Sequence, residues 1–359
     1  MRSEASLSRR SFLKSAAAFV AAVAGVEAGD ETAPLRTRGI VLYPFDLSIR
    51  DWPERAHRAG LNTIGLHAAR RLDILCDFIE SAEGRHFLAR CRALGIGVEY
   101  ELHAMGDLLS RELFYKDRSF FRQDEQQGRT PDVNCCPSSA AALDLIAEKA
   151  VRYARVLAPA THRYFYWPDD GGKWCHCAKC HGLAASDQAL LVENHILRAL
   201  RRHDARATLS HISYSHTLAA PQQVKPEPGI FLEFAPISRD YDKPIADREA
   251  KTHATPGGVD PLTNGAYLDI LEANLKLFGV EQAQVLEYWL DVSKFSRWTR
   301  PAVKLPWNAQ ICRADVVAYR KLGVRHITTF ATYLDADYVK LHGDPQPAIL
   351  EYGAALNPS

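Results

Sequence analysis

Apolar residues recur along the chain in two periods, and the two periods alternate. Short runs rich in Val, Ile, Leu, Tyr and Phe read as strands at residues 39–43, 62–67, 96–103, 163–167, 207–214, 230–234, 284–290 and 326–331. Amphipathic stretches predict helices at 52–59, 82–94, 140–157, 186–202, 266–277 and 309–322. Gly60, Gly95 and Gly323 stand where helices should stop, and Ser138 stands where one should start. Long loops are expected after the third, fourth and sixth strands. Eight strands mostly separated by helices predict an α/β fold, a single (β/α)8 TIM barrel. The competing open doubly wound sheet usually carries a Gly-rich phosphate loop, and neither GxGxxG nor GxxxxGK[ST] occurs. No internal repeat or linker divides residues 31–359, so one domain is expected there.

The charges nearly cancel, with 44 Lys+Arg against 43 Asp+Glu. A nucleic-acid partner, which needs uncompensated basic surface, is not expected. The apolar fraction of 47% is that of an ordinary globular chain. No apolar run reaches the roughly 18 residues of a membrane span, so the mature protein is expected off the membrane. The first 30 residues read as an address. Ser8-Arg9-Arg10-Ser11-Phe12-Leu13-Lys14 precedes an Ala-rich stretch and a small-residue exit at Ala28. This resembles a twin-arginine signal, removed after export by the twin-arginine machinery of a bacterium. A periplasmic or secreted location follows, where disulfides can persist.

In such barrels the chemistry lies at the C-terminal ends of the strands. Glu99, Glu101 and His103 alternate onto one face of the third strand. Asp169-Asp170 follows the fourth strand, Glu233 lies in the sixth, and Glu287 is followed by Tyr288 and Trp289. Carboxylates from several strands, interleaved with Trp and Tyr, suit glycoside hydrolysis, which needs an acid and a base or nucleophile. Each also has a plain reading: a Glu inside a barrel can pair with a core Arg or Lys, and Asp-Asp-Gly-Gly can be a turn. No GxSxG or HExxH run offers another chemistry.

Cys175, Cys177 and Cys180 form a CxCxxC run, and Cys136 lies in the preceding long loop. Four thiols at such spacing suit a closed, structural Zn²⁺ site with no catalytic role. The alternative is two disulfides, which an oxidising compartment favours. Cys76, Cys91 and Cys312 stand singly and read as buried thiols.

The segments WPDDGGKWCHCAKC, SDQALLVENHILRAL, NCCPSS, FAPISRDYDKP and LEYWLDVSKFSRW resemble the family called domain of unknown function 4838. That family is similar in fold to α-glucuronidases and β-hexosaminidases. The resemblance implies an acid after strand four and further carboxylates on strands six and seven. It points to Asp170 as the acid, Glu287 as its partner and Glu233 assisting. His103, Trp167, Asp169, Tyr214, Arg239, Tyr241, Tyr288 and Trp289 are the expected sugar contacts; Arg239 can pair with a uronate carboxylate, and its equal alternative is a salt bridge within its own loop. Two departures stand out. The extra domains that many relatives carry are not apparent, and the second acid after strand four is an Asp where hexosaminidases have Glu. The expectation is a glycoside hydrolase acting on an oligosaccharide; the alternative is a carbohydrate-binding barrel without catalysis.

Overall fold

The computed structural model describes residues 33–69, 71–254 and 258–357, so the expected export signal lies outside the described residues. Eight parallel strands close into one barrel in chain order: β1 (Thr37–Leu42), β2 (Thr63–Ala68), β3 (Gly97–His103), β4 (Arg163–Trp167), β5 (Thr208–Ser213), β6 (Ile230–Phe234), β7 (Gln284–Glu287) and β8 (His326–Phe330). Around it lie α1 (Trp52–Arg58), α2 (Leu72–Glu80), α3 (Ala82–Ala93), α4 (Met105–Leu108), α5 (Ala140–Ala154), α6 (Ala185–His203), α7 (Asn264–Phe278), α8 (Val292–Phe295), α9 (Ala309–Lys321), α10 (Ala336–His342) and α11 (Gln346–Leu356). The expected barrel is therefore the fold. Only a single 3-10 turn, Ser215–Thr217, separates β5 from β6 among the helices described. No helix among the described residues is long and apolar enough to cross a membrane.

Some helix starts differ from the sequence reading. Ser139 rather than Ser138 caps α5, its hydroxyl accepting from the Ala142 amide. In the first turn of α6, Asp187 Oδ1 accepts three loop amides, those of Gln222, Gln223 and Val224 at 3.0, 2.8 and 2.8 Å. A buried carboxylate there ties the β5–β6 connection onto the helix.

Alternation decides what the barrel encloses. Along β3, Glu99, Glu101 and His103 point inward while Val98, Tyr100 and Leu102 pack outward. On β4 the inward set is Arg163, Phe165 and Trp167. The contacts form layers. At the bottom Arg163 donates to the Gln284 side chain at 2.9 Å and lies beside Glu99. In the middle Glu233 accepts from Gln284 Nε2 at 3.1 Å and Trp167 Nε1 at 2.7 Å. Gly65 makes the space that Glu101 occupies, because a Cβ there would stand 2.9 Å from Glu101 Oε1. At the top His67, His103, Trp167 and Phe330 meet edge to face.

Three fully buried glutamates thus share one interior arginine. Burial, above all, pushes the Glu233 carboxyl up to about 8, although the Trp167 N–H and Arg163 favour its ionised form. Burial and then Glu233 hold Glu101 well above the usual carboxylate range. A carboxyl that keeps its proton in the fold but loses it when unfolded costs stability as pH rises from its unfolded value to its folded value. Buried His67 and His326 act in the opposite sense, but only below the ordinary imidazole value of 6.5. Between about pH 6.5 and 8, therefore, the carboxyls oppose stability while the imidazoles no longer contribute. The urea midpoint of Glu101→Gln should rise relative to that of the wild type across that window. A difference that stays constant from pH 6.5 to 8 would contradict this account of the interior.

Candidate active site

The top layer of the barrel is the floor of an open cleft. Tyr43 follows β1 and lines the cleft, His67 is the last but one residue of β2, His103 ends β3 and Trp167 ends β4. Tyr214, Tyr288 and Phe330 add ring surface, and Asp170, Asp291, Ser293 and Thr332 add polar groups.

The two histidines have assigned roles. His67 Nδ1 lies 2.6 Å from the Glu101 carbonyl and His103 Nδ1 lies 2.6 Å from the Pro168 carbonyl. A carbonyl only accepts, so each Nδ1 carries a hydrogen and each Nε2 is left for the cleft. Burial, reinforced by His103, pulls His67 down to about 3, which keeps it a neutral acceptor at physiological pH.

Two carboxyl groups line the cleft in contrasting surroundings. The Asp170 side chain is 59% exposed, accepts from the Tyr214 hydroxyl at 2.9 Å, and stands 4.0 Å from His103 Nε2. Asp291 is buried at the start of α8. Its Oδ1 accepts from the hydroxyls of Ser293 and Thr332, each at 2.5 Å, and from the Lys294 amide at 3.2 Å. Burial raises its carboxyl above the usual range despite those bonds. Both carboxylates act on Tyr43, whose hydroxyl is raised by burial, then by Asp291, then by Asp170.

The other expected carboxylates are elsewhere. Glu233 lies one layer below the floor, under Trp167. Glu287 is outside the barrel altogether: β6 and β7 pair Glu233 with Gln284, so Gln284, Leu286 and Tyr288 share the inward side and Glu287 takes the other. There it accepts from Arg239 Nε at 3.0 Å and from the Tyr241 and Tyr319 hydroxyls at 3.1 and 2.5 Å. Arg239 also donates to Asp315 at 2.5 Å, and all three charged side chains are fully buried. The expectation that Asp170, Glu233 and Glu287 meet in one open cleft is thereby corrected.

The sugar-contact residues divide in the same way. His103, Trp167, Tyr214 and Tyr288 line the cleft with Asp170. Arg239 does not, since its guanidinium is consumed by Glu287 and Asp315, which removes the basis for pairing it with a uronate. Tyr241 is stacked against that guanidinium, 4.2 Å from its ring centroid. Trp289 points outward with Glu287 and donates to Asp315 at 2.9 Å. Asp169 is a clamp, accepting from Arg111 and from the amides of Gly106 and Asn134. Tyr43, His67, Asp291 and Trp298 are cleft residues that the sequence reading did not name. Tyr43 and His67 stand at the C-terminal ends of strands, as His103 and Trp167 do, whereas Asp291 and Trp298 flank α8 in the segment after β7.

The four cysteines Cys136, Cys175, Cys177 and Cys180 are buried together, every Sγ within 4.8 Å of the others. Cys136 Sγ lies 3.6 Å from Cys175 Sγ and 3.8 Å from Cys177 Sγ. A tetrahedron with metal–sulfur bonds of about 2.3 Å has edges of about 3.8 Å, whereas a disulfide bond is about 2.05 Å. The Gln123 amide donates to Cys175 Sγ at 3.3 Å, and Arg129 lies beside it. The cluster could hold a metal, and it joins the loop after β3 to the loop after β4. Cys91 and Cys312 are buried single thiols, and Cys76 is half-buried.

Known proteins add the following. A family model described as "Domain of unknown function (DUF4838)" matches residues 82–256. No curated protein sequence matches the chain. Among solved structures it is similar to a β-N-acetylhexosaminidase from Bacteroides fragilis, with a TM-score of 0.53 and 10% identity over 89% of this chain and 65% of that one. It is also similar to a β-galactosidase from Rahnella sp. R3, with a TM-score of 0.52 and 14% identity over 92% and 57%. A GH42 β-galactosidase from G. stearothermophilus gives 0.53 and 12% over 92% and 58%. The chain therefore spans about three fifths of the length of these neighbours, which are glycoside hydrolases sharing its barrel.

Proposed function

We propose that the protein is a glycoside hydrolase whose cleft carboxyls are Asp170 and Asp291, with a carbohydrate as substrate. The observation that carries this reading is a pair of carboxyl groups in unlike surroundings on one aromatic-floored cleft at the C-terminal end of a barrel. Asp291, raised by burial, suits the acid that protonates the leaving oxygen. The three bonds to its Oδ1 leave Oδ2 to carry that proton. Asp170, the exposed carboxylate steadied by Tyr214, suits the base or nucleophile. This reverses the acid role expected for Asp170 and puts Asp291 where Glu287 was expected. His67 and His103 offer Nε2 to substrate hydroxyls, and Trp167, Tyr214 and Tyr288 offer ring faces.

Asp170→Asn and Asp291→Asn should each lower turnover of a cleaved glycoside by roughly 10²–10⁴-fold with binding kept. The alkaline limb of the rate profile should lie above the ordinary aspartate value of 3.8, because the acid must stay protonated, and should move in Asp291→Glu. Unchanged turnover in both Asn variants would sink the assignment. Glu287→Gln should instead cost about 3 kcal/mol in urea unfolding, since it leaves Arg239 with a buried, half-paired charge. Its folded fraction should turn over normally.

The second reading is a carbohydrate-binding barrel without catalysis, favoured by the withdrawal of Glu233 and Glu287 into buried networks. Binding without turnover in the wild type would select it.

The cysteine cluster is read as a structural zinc site: all four positions are cysteine and buried, so the ion would fix two loops and leave no open coordination position. Elemental analysis should find about one zinc per chain, and Cys177→Ser should lose it and lower the thermal midpoint. Full metal occupancy in Cys177→Ser, or a wild type without metal, would contradict this. The Arg9-Arg10 motif supports export of a folded, metal-loaded protein to the periplasm or beyond.

A further inference from the structure

Trp298 is the largest side chain left exposed on the cleft: it lines the cleft wall and is 62% exposed. Its backbone is unusual. Arg297 and Trp298 stand consecutively in the left-handed region, at φ 52° and 53°, a conformation that disfavours side chains larger than Gly. The loop is nevertheless held firmly. The Trp298 amide donates to the Ser293 carbonyl at 2.7 Å, and the Arg297 amide to Lys294 at 2.9 Å. The Thr299 hydroxyl donates to Ser296 at 2.6 Å, and the Val303 amide to the Ser296 hydroxyl at 3.0 Å. The fold thus accepts both strain and a water-exposed indole at a position where burial would be the ordinary fate of a tryptophan.

The same unit carries Asp291. Its carboxylate caps α8 by accepting from Lys294, and the Trp298 amide closes onto Ser293, whose hydroxyl donates to Asp291 at 2.5 Å. Position of the indole and position of the carboxyl are therefore fixed by the same few hydrogen bonds. On the floor stand Trp167 and Tyr288, and Nε2 of neutral His67 is available as an acceptor.

We infer that Trp298 is a substrate-binding residue, the rigid face on which a pyranose ring of the glycan stacks through its C–H side, beside the Asp170 and Asp291 carboxyls. This rests on the carbohydrate reading above and adds to it a ring-stacking subsite. A flat indole selects a sugar whose one face bears axial hydrogens rather than axial hydroxyls, while floor acceptors read the hydroxyls at the ring edge.

The test uses the full chain in the Asp170→Asn background, so that probes are not consumed. Lactose, cellobiose, N,N′-diacetylchitobiose and xylotriose are titrated by calorimetry and by tryptophan emission. A probe that binds should bind roughly tenfold more weakly after Trp298→Ala, with part of the loss recovered in Trp298→Phe. The emission change on binding should shrink when Trp298 is removed, leaving the response of Trp167 on the floor. Trp298→Gly, which relieves the left-handed strain, should be at least as stable as Trp298→Ala yet bind no better, separating lost stacking from a disturbed loop. Equal affinity in Trp298→Ala overturns the subsite and leaves the hydrolase reading standing. Binding of no probe by any variant, together with absent turnover in the wild type, overturns both.

Discussion

The pleat of a closed parallel barrel sends each side chain either into the barrel or out against the helices, and the chemistry here depends on that division. Pairing of β6 with β7 sets Glu233 against Gln284, and the hydrogen bond between their side chains fixes both inward. Every later residue of β7 follows. Tyr288 enters the cleft, while Glu287 and Trp289 turn to α9. A shift of one residue would exchange these sets, placing Glu287 and Trp289 over the barrel mouth and turning Tyr288 toward α9. Register decides which acids face a ligand.

Having been turned outward, Glu287 needs a counter-charge. Arg239 supplies it and is shared with Asp315, while Tyr241 and Tyr319 satisfy the remaining carboxylate positions. Such a network is specific more than strongly stabilising, because desolvation offsets most of its attraction. It joins the loop after β6 to β7 and α9, which seats the segment that continues to Asp291. The interior network is different in kind. With three glutamates around one arginine, protons rather than counter-ions balance the charge, and Trp167 ties that layer to the cleft floor through Glu233.

The two long loops on the β3–β4 side have few helices to hold them. Asp169 binds Arg111, Gly106 and Asn134, and Asn134 in turn accepts the Asp169 amide at 2.9 Å. The four-cysteine cluster sits next along both loops and closes the same seam. Asp170 thus projects into solvent from a segment that is fixed on one side by hydrogen bonds and on the other by thiols. Exposure of the carboxylate and rigidity of its support are compatible for that reason.

Much of the architecture was legible in the residues themselves. Alternating apolar runs located all eight strands, six of them within one residue at either end, because strand patterns are local properties of burial; β1 starts two residues earlier and β7 stops three residues earlier than its pattern suggests. The CxCxxC run and Cys136 named the thiols that gather, and His103, Trp167, Asp170, Tyr214 and Tyr288 were identified by their place at strand ends. Local pattern does not carry the phase of one strand against the next. That phase withdrew Glu233, Glu287, Arg239, Tyr241 and Trp289 from the cleft. Nor does a sequence show that Asp291, three residues past Tyr288, turns back over the same floor on a one-turn helix. Composition and periodicity determined which residues form the barrel; register and loop closure, which join residues far apart in the chain, decided which of them a ligand meets.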